Sequence, residues 1–418
     1  MIQVPCSEGH SSTGKSKRPK LELADIFRKH GTKYQADHDL SRKQHSVMFD
    51  IEHCRTSQMG YHVDVCTECG HTEHAHNSCR NRHCPKCQGI ARRKWVRARL
   101  KDLLPIPYYH VVFTLPHKIF PISLYNKAIF YELLFESAAR TLLQFGKDPR
   151  HLGALIGFYG ILHTWGGKLW QHLHLHFIVT GGGLNESGQW VEPKYKGKFL
   201  FPVCALSVVF RGKFIEGLKA AYYQGKLIFP DEYSHLKEPG LFETWIDELV
   251  ARDWVIYTKV PFSGPEEVVR YIGRYTHRVA ISNSRLISID DGKVRFKYKN
   301  YKKKGSEGYT WEEACLSAEE FIRRFLMHIL PEGFHRIRHY GFLANGRCKK
   351  AVNKIRELLA HGEQIPDNDS EQEEFAGIKC PVCEKGILIP IMAIHRFGTV
   401  VFSAYWLLFS PKPAWDTS

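Results

Sequence analysis

The spacing of the cysteines constrains this chain more than any other feature. Cys66, Cys69, Cys84 and Cys87 form two CxxC pairs, in a stretch from Cys54 to Cys87 that is too short and too polar to fold around an apolar core of its own. Four thiolates at such spacing can close a tetrahedral zinc site, and the ion then supplies the folding energy that burial cannot. Cys54, Cys79 and His83 are additional soft ligands in the same stretch, with His53, His62, His71, His74 and His76 nearby, enough for a second ion. A last pair, Cys380 and Cys383 in CPVC, has no second pair beside it in sequence. It either completes a zinc site with a distant ligand or merely turns the chain, and both readings stand at this point. Of the 12 cysteines the remaining four are scattered, a pattern that reads as metal binding rather than as a disulfide framework.

Lys and Arg number 59 against 43 Asp and Glu, so the net charge is +16 and the pI about 9.2. Such a surplus points to polyanionic partners, nucleic acid first and an anionic membrane second. A length of 418 residues with 43% hydrophobic content excludes disorder of the whole and suits two or three domains. The most apolar stretch, TVVFSAYWLLF, has about eleven residues, too few to span a bilayer, and the basic N-terminus lacks a signal core. A cytoplasmic protein without a membrane partner is expected. Gly9, Gly14, Lys15 and Ser16 fit a phosphate-binding loop, but only a few residues precede them and Pro19 would break the helix that must follow, so no nucleotide cofactor is expected.

The texture of the chain divides it into a disordered basic arm (1–20), a zinc-binding and DNA-binding domain (21–104), a catalytic domain (105–345) and a C-terminal segment (346–418) with an acidic linker and the CPVC knuckle. Residues 21–46 have helical spacing, and a basic helix follows the cysteines at residues 90–104 with Arg92 and Arg93 on it. Strands are expected at residues 108–115, 155–164 and 169–180, with a helix at 123–143, so the fold class is α+β.

Within WQHLHLHFIVTGGG, His172, His174 and His176 alternate with leucines and therefore share one face of a strand. Neighbours in that row are about 6.6 Å apart and can share an ion, whereas the outer two cannot. One pair binds and the third does something else. Two imidazoles, a further ligand and open positions could hold Mg²⁺ or Mn²⁺ against a phosphate. A nucleophile is offered by EEVVRYIGRYTHR, where Tyr271 and Tyr275 are four apart on one helix face and Arg270, Arg274, His277 and Arg278 could favour a phenolate or hold the phosphate. Basic and aromatic residues interleave in RFKYKNYKKK, with Lys297 and Lys299 beside Arg295 on one face. Phe296 and Tyr298 on the other face either stack on single-stranded DNA or belong to the core.

In the segments SCRNRHCPKCQG, HVVFTLP, HLHLHFIVTGGGL, YIGRYTHRVAISN and FIRRFLMHILPEGFHRIRHYGFLAN, the sequence resembles the two-tyrosine HUH transposases of rolling-circle insertion sequences, which carry an N-terminal zinc-binding domain. The resemblance spans most of the chain. It implies an HUH endonuclease domain with a central antiparallel sheet flanked by helices. It also implies single-strand DNA cleavage and strand transfer through 5′-phosphotyrosine links formed by Tyr271 or Tyr275, in a bacterial, nucleoid-associated protein whose partners are single-stranded element ends and target. His174 and His176 would be the HUH pair. Leu173 stands where the family often has proline, which leaves the role of His172 open, and His117, His163 and His277 are unranked candidates for the third ligand. A replication initiator or relaxase would share the chemistry, and a non-catalytic zinc-dependent DNA-binding protein is the reading from a different class.

Overall fold

The computed structural model describes residues 21–194, 200–259, 267–268, 273, 280–300, 303, 309–360 and 378–402. The helical spacing over residues 21–46 is realised as two helices, α1 (Leu23–Asp37) and α2 (Arg42–Glu52), because Ser41 interrupts it. The Ser41 hydroxyl accepts from the Gln44 backbone N–H, and the Gln44 side chain accepts from the Ser41 N–H at 2.9 Å, a reciprocal cap that starts a new helix. A hairpin follows, β1 (Gly60–Cys66) and β2 (Thr72–His76), and then α3 (Pro85–Leu100). The basic helix therefore begins and ends earlier than its charge pattern suggests. Pro85 has no N–H to leave unpaired and suits the first turn directly after Cys84.

The middle of the chain runs β3 (Tyr108–Thr114), α4 (Phe120–Tyr125), α5 (Lys127–Lys147), β4 (Leu155–Trp165), β5 (Gln171–Leu184), β6 (Trp190–Val191), α6 (Val203–Tyr223), α7 (Pro239–Val250) and β7 (Ile256–Lys259). After them come β8 (Leu286–Asp290), β9 (Lys293–Asn300), β10 (Thr310–Ser317), α8 (Ala318–Met327), β11 (Ile337–Gly341) and α9 (Cys348–Leu359). The short strands β12 (Ile378–Lys379), β13 (Ile387–His395) and β14 (Val400–Phe402) close the described chain. No helix among the described residues is long and apolar enough to cross a membrane.

Three antiparallel sheets organise these elements, so the expected α+β class is what the chain adopts. The central one has the order β11-β4-β5-β3-β7, with β6 beside β5. Its strands alternate, with register shifts near both ends of the β4–β5 pairing. Phe113, Phe158, Leu162, Leu173, Leu175 and Phe177 face a core shared with Phe130, Phe135, Phe210 and Phe214 of α5 and α6. Burying each of these large side chains is worth on the order of 2 kcal/mol, which fixes the register of β5 against its neighbours. The opposite face carries Tyr108, Tyr159, Ile161 and Ile178, covered by Val268, Phe342, Val352 and Ile355.

The second sheet, β10-β9-β8, turns Val294 and Phe296 inward against Phe321 and Phe325 of α8, and Phe27 of α1 meets Phe325 edge-on at 5.7 Å. Phe296 and Tyr298 are buried, so of the two readings of their face the structure takes the core one. The third sheet, β12-β13-β1-β2 with β14 beside β13, joins the two ends of the chain: residues Gly60 to Cys66 pair antiparallel with His395 back to Leu388.

Gly341 ends β11 with φ +63°, opposite Gly157 of β4, and a Cβ there would lie 1.6 Å from the Ile156 carbonyl oxygen. Gly341→Ala should therefore cost more than the ~1–2 kcal/mol of a left-handed residue alone. Calorimetry should show a lowered unfolding midpoint, and an unchanged midpoint would contradict this close approach.

Candidate active site and metal centres

The face of β5 that turns away from the apolar core carries the histidine row. His174 pairs in register with His163 of β4, and His176 with Ile161, so β4 brings a third imidazole to the row. The ring nitrogens of His163, His174 and His176 lie within 4.8 Å of one another, and no carboxylate among the described residues joins them. His163 and His176 are buried and His174 is half-buried. Of the three candidates for a further ligand, His163 is the one placed here. His117 stacks instead on His172, with ring centroids 5.8 Å apart, and His277 lies outside the described residues.

Two of the three rings are tethered from behind. His174 Nδ1–H donates to the His172 carbonyl at 2.8 Å, which leaves its Nε2 lone pair for an ion. His176 Nδ1 lies 2.9 Å from Nε2 of His110 on β3, with the rings parallel and 5.1 Å apart. His110 is buried on the same sheet face, one strand over. Its role could not be read from its sequence neighbours, since HVVFTLP contains a single histidine on an apolar strand. Three converging imidazoles, two of them held at Nδ1 from behind, fit a divalent cation with open positions. His172 is kept apart from this set. Burial, and secondarily the charge of His117, lowers its pKa, so it favours the neutral form.

The cysteines gather differently from the expectation. Cys66, Cys69, Cys84 and Cys87 do not surround one point. Cys84 and Cys87 meet Cys54 and Cys79, whereas Cys66 and Cys69 meet Cys380 and Cys383. The reason is the hairpin between the two CxxC pairs. Cys66 ends β1 at the hairpin's tip, while Cys54 and Cys79 flank its open end beside the start of α3. A seven-residue strand separates those ends by about 20 Å at 3.4 Å per step. In the first group Cys54 Sγ lies 3.5 Å and Cys79 Sγ 3.6 Å from Cys87 Sγ, close to the about 3.8 Å edge of a tetrahedron with zinc–sulfur bonds near 2.3 Å. The Cys79 N–H points at Cys54 Sγ and the Asn81 N–H at Cys79 Sγ, both at 3.5 Å. His83 joins neither group. It is buried beside Trp165, His328 and Arg336, and burial holds its pKa well below the usual imidazole value.

The residues expected to meet DNA are distributed around these centres. Arg92 and Arg93 are exposed on α3, one helix turn beyond the Cys84–Cys87 pair. The same helix sets Trp95 edge-on against Tyr159 at 6.4 Å. Its Val96 lies so near Gly273 that a Cβ on that glycine would be 2.6 Å from Val96 Cγ2. Lys297 is exposed on β9, and Lys299 Nζ sits 3.6 Å over the Tyr309 ring and 5.2 Å from that of Trp311. Trp311, on β10 opposite Lys299, brings a half-exposed indole to this basic face that the β9 sequence alone did not reveal. Tyr271, Tyr275, Arg270, Arg274 and Arg278 lie outside the described residues. Two of their neighbours do not: Val268 is buried against Ile161 and Ile178, on the histidine-bearing face of the sheet, and Gly273 abuts α3.

Two family models match the chain. The "Transposase zinc-binding domain" family model matches residues 26–115, and the "Putative transposase" family model matches residues 157–351. A Sinorhizobium fredii protein named "Putative transposase y4qJ" is 45% identical over 409 residues, covering 95% of this chain and 98% of that protein. The transposase for insertion sequence element IS801 of Pseudomonas savastanoi pv. phaseolicola is 30% identical over 313 residues, covering 73% of this chain and 72% of its own. Among solved structures, the conjugative relaxase TrwC in complex with oriT DNA aligns with 40% of this chain and 71% of its own at 15% identity. Its TM-score of 0.24 is too low to bear on the site. The chain belongs to the IS91/IS801-type family of insertion-sequence transposases, built from a transposase zinc-binding domain and a transposase core.

Proposed function

We propose that this transposase cuts and rejoins single-stranded DNA at the ends of its element through tyrosine–phosphate links, in a rolling-circle mode of transposition. The observation that carries the reading is the convergence of His163, His174 and His176 on the sheet face against which Val268, three residues before Tyr271, is buried. A helix through Tyr271 and Tyr275 on that face would bring a phenol to a phosphate held at the imidazoles.

The three imidazoles would hold a divalent cation, which would supply charge neutralisation to the reacting phosphate. The donor set is all nitrogen, and among Mg²⁺ and Mn²⁺ it favours Mn²⁺. The chain's own groups do the rest. The His172 carbonyl would orient the His174 ring, and His110, 2.9 Å from His176 Nδ1, would orient the second. Tyr271 or Tyr275, as phenolate, attacks phosphorus and displaces the 3′ oxygen, which takes up a proton. The 5′ phosphate stays on the tyrosine. One phosphodiester replaces another, so no nucleotide hydrolysis is needed, and the second tyrosine can accept the other strand end in turn. Arg270, Arg274 and Arg278, beside the tyrosines in sequence, would favour the phenolate or hold the phosphate. Arg92 and Arg93 on α3, with Lys297 and Lys299 beside Trp311, offer cations and a stacking surface for the flanking strand.

Incubated with single-stranded element ends and Mn²⁺, the protein should form a covalent adduct that survives denaturation. The adduct should be absent from the double variant Tyr271→Phe with Tyr275→Phe and strongly reduced in His174→Ala with His176→Ala. Adduct formation by the double phenylalanine variant would remove the tyrosine chemistry. Salt-sensitive DNA binding with no adduct at all would leave a zinc-dependent DNA-binding protein instead.

His110 supplies a separate check. His110→Ala should weaken Mn²⁺ binding about 10- to 100-fold, the usual cost of losing a group that orients a metal-binding histidine, with the unfolding midpoint in chelator little changed. Mn²⁺ affinity measured by calorimetry decides it, and an unaltered affinity would show that His110 does not orient His176.

A further inference from the structure

We infer that Cys66, Cys69, Cys380 and Cys383 hold a second zinc ion that clasps the C-terminal segment onto the N-terminal zinc-binding domain, so that this DNA-binding head is built from both ends of the chain. The matched zinc-binding family model covers only residues 26–115, and nothing in it includes the CPVC pair.

Four observations converge. Cys66 Sγ lies 3.6 Å from Cys383 Sγ, and Cys69 Sγ 3.7 Å from Cys380 Sγ, close to the about 3.8 Å sulfur–sulfur edge of a tetrahedral zinc–thiolate site and far beyond the about 2.05 Å of a disulfide. The two CxxC turns are built alike. In one, the Glu68 and Cys69 N–H groups point at Cys66 Sγ at 3.4 and 3.5 Å. In the other, the Val382 N–H points at Cys380 Sγ at 3.4 Å. Each pair is followed at once by a residue with positive φ, Gly70 at 69° and Glu384 at 56°. Backbone N–H groups aimed at sulfur favour the thiolate, the form that binds metal, and the Gly386 N–H adds one more, pointing at Cys383 Sγ at 3.4 Å.

The third observation is Gly386. A Cβ at this position would lie 2.5 Å from Cys66 Sγ, so the second knuckle can close on the first only if that residue is glycine. The fourth is the strand pairing beside the cluster. β13 runs antiparallel to β1 along its whole length, and the pairing ends at Cys66 opposite Leu388, where the thiols meet. This small sheet has little core of its own, since Cys66, Cys380 and Leu388 form its buried cluster. An ion is what such a module lacks. The site is also the more open of the two, with Cys69 exposed and Cys383 half-buried, against buried Cys54, Cys84 and Cys87 in the first group. Its ion should be the first to leave under chelation.

Alkylation of the full-length, zinc-loaded protein tests this without a variant. Mapped by mass spectrometry, Cys66, Cys69, Cys380 and Cys383 should be protected together, and should become reactive together as a chelator is titrated in, before Cys54, Cys79, Cys84 and Cys87. In the cobalt-substituted protein, the thiolate-to-cobalt charge-transfer absorbance per chain should fall by half in Cys380→Ser with Cys383→Ser. Gly386→Val, which keeps every thiol, should weaken the same site. Reactive Cys380 and Cys383 beside protected Cys66 and Cys69, a disulfide among the four, or undiminished cobalt absorbance in the serine variant would each overturn the proposal. The readout is metal on thiolates with no DNA present, so it stands or falls apart from the tyrosine chemistry.

Discussion

The structure depends on the alternation of β5 between its neighbours. Leu173, Leu175 and Phe177 are fully buried toward α5 and α6, and that burial leaves His172, His174 and His176 no choice but the other face. Slipping the strand by one residue would put imidazoles into the apolar core and leucines against the site. Hydrophobic burial on one face thus sets the geometry of the histidine cluster on the other. The adjacent strands then complete the cluster by register alone, β4 with His163 and β3 with His110.

The same alternation explains what could be read from sequence. Strands expected at residues 108–115, 155–164 and 169–180 correspond to β3, β4 and β5 within a few residues, because each is a run of apolar residues bounded by turns. The histidine row was legible because three histidines at a spacing of two are improbable as core residues. His163 was legible only as one of three unranked candidates for its partner, and His110 not at all. Each is one histidine on an apolar strand, and only inter-strand register brings it to the row. The basic face of β9 was read correctly as to which residues point together, but Trp311 arrives from β10, and cross-strand neighbours leave no mark in a single strand's sequence.

The cysteines mark the limit of spacing arguments. Two CxxC pairs close in sequence suggested a single ion, yet a hairpin between them carries one pair to its tip and leaves the other at its base. Each pair then finds its complement elsewhere, Cys84 and Cys87 in Cys54 and Cys79, Cys66 and Cys69 in a segment more than three hundred residues away. One consequence is architectural. Helix α3 starts on the first thiol group and continues past Trp95 and Val96 to the sheet face that carries Tyr159 and to Gly273. The first thiol group and the sheet face that carries Tyr159 are thus joined by one helix whose exposed side carries Arg92 and Arg93.

The proposed tyrosine chemistry is tested most directly by locating the DNA phosphate on the chain. Trypsin would separate the two candidates, because Arg270, Arg274 and Arg278 bound the peptides YIGR and YTHR. Mass spectrometric mapping of the nuclease-trimmed DNA–protein adduct should find the residual nucleotide on one of these peptides, at Tyr271 or Tyr275. A nucleotide on any other residue would contradict the assignment.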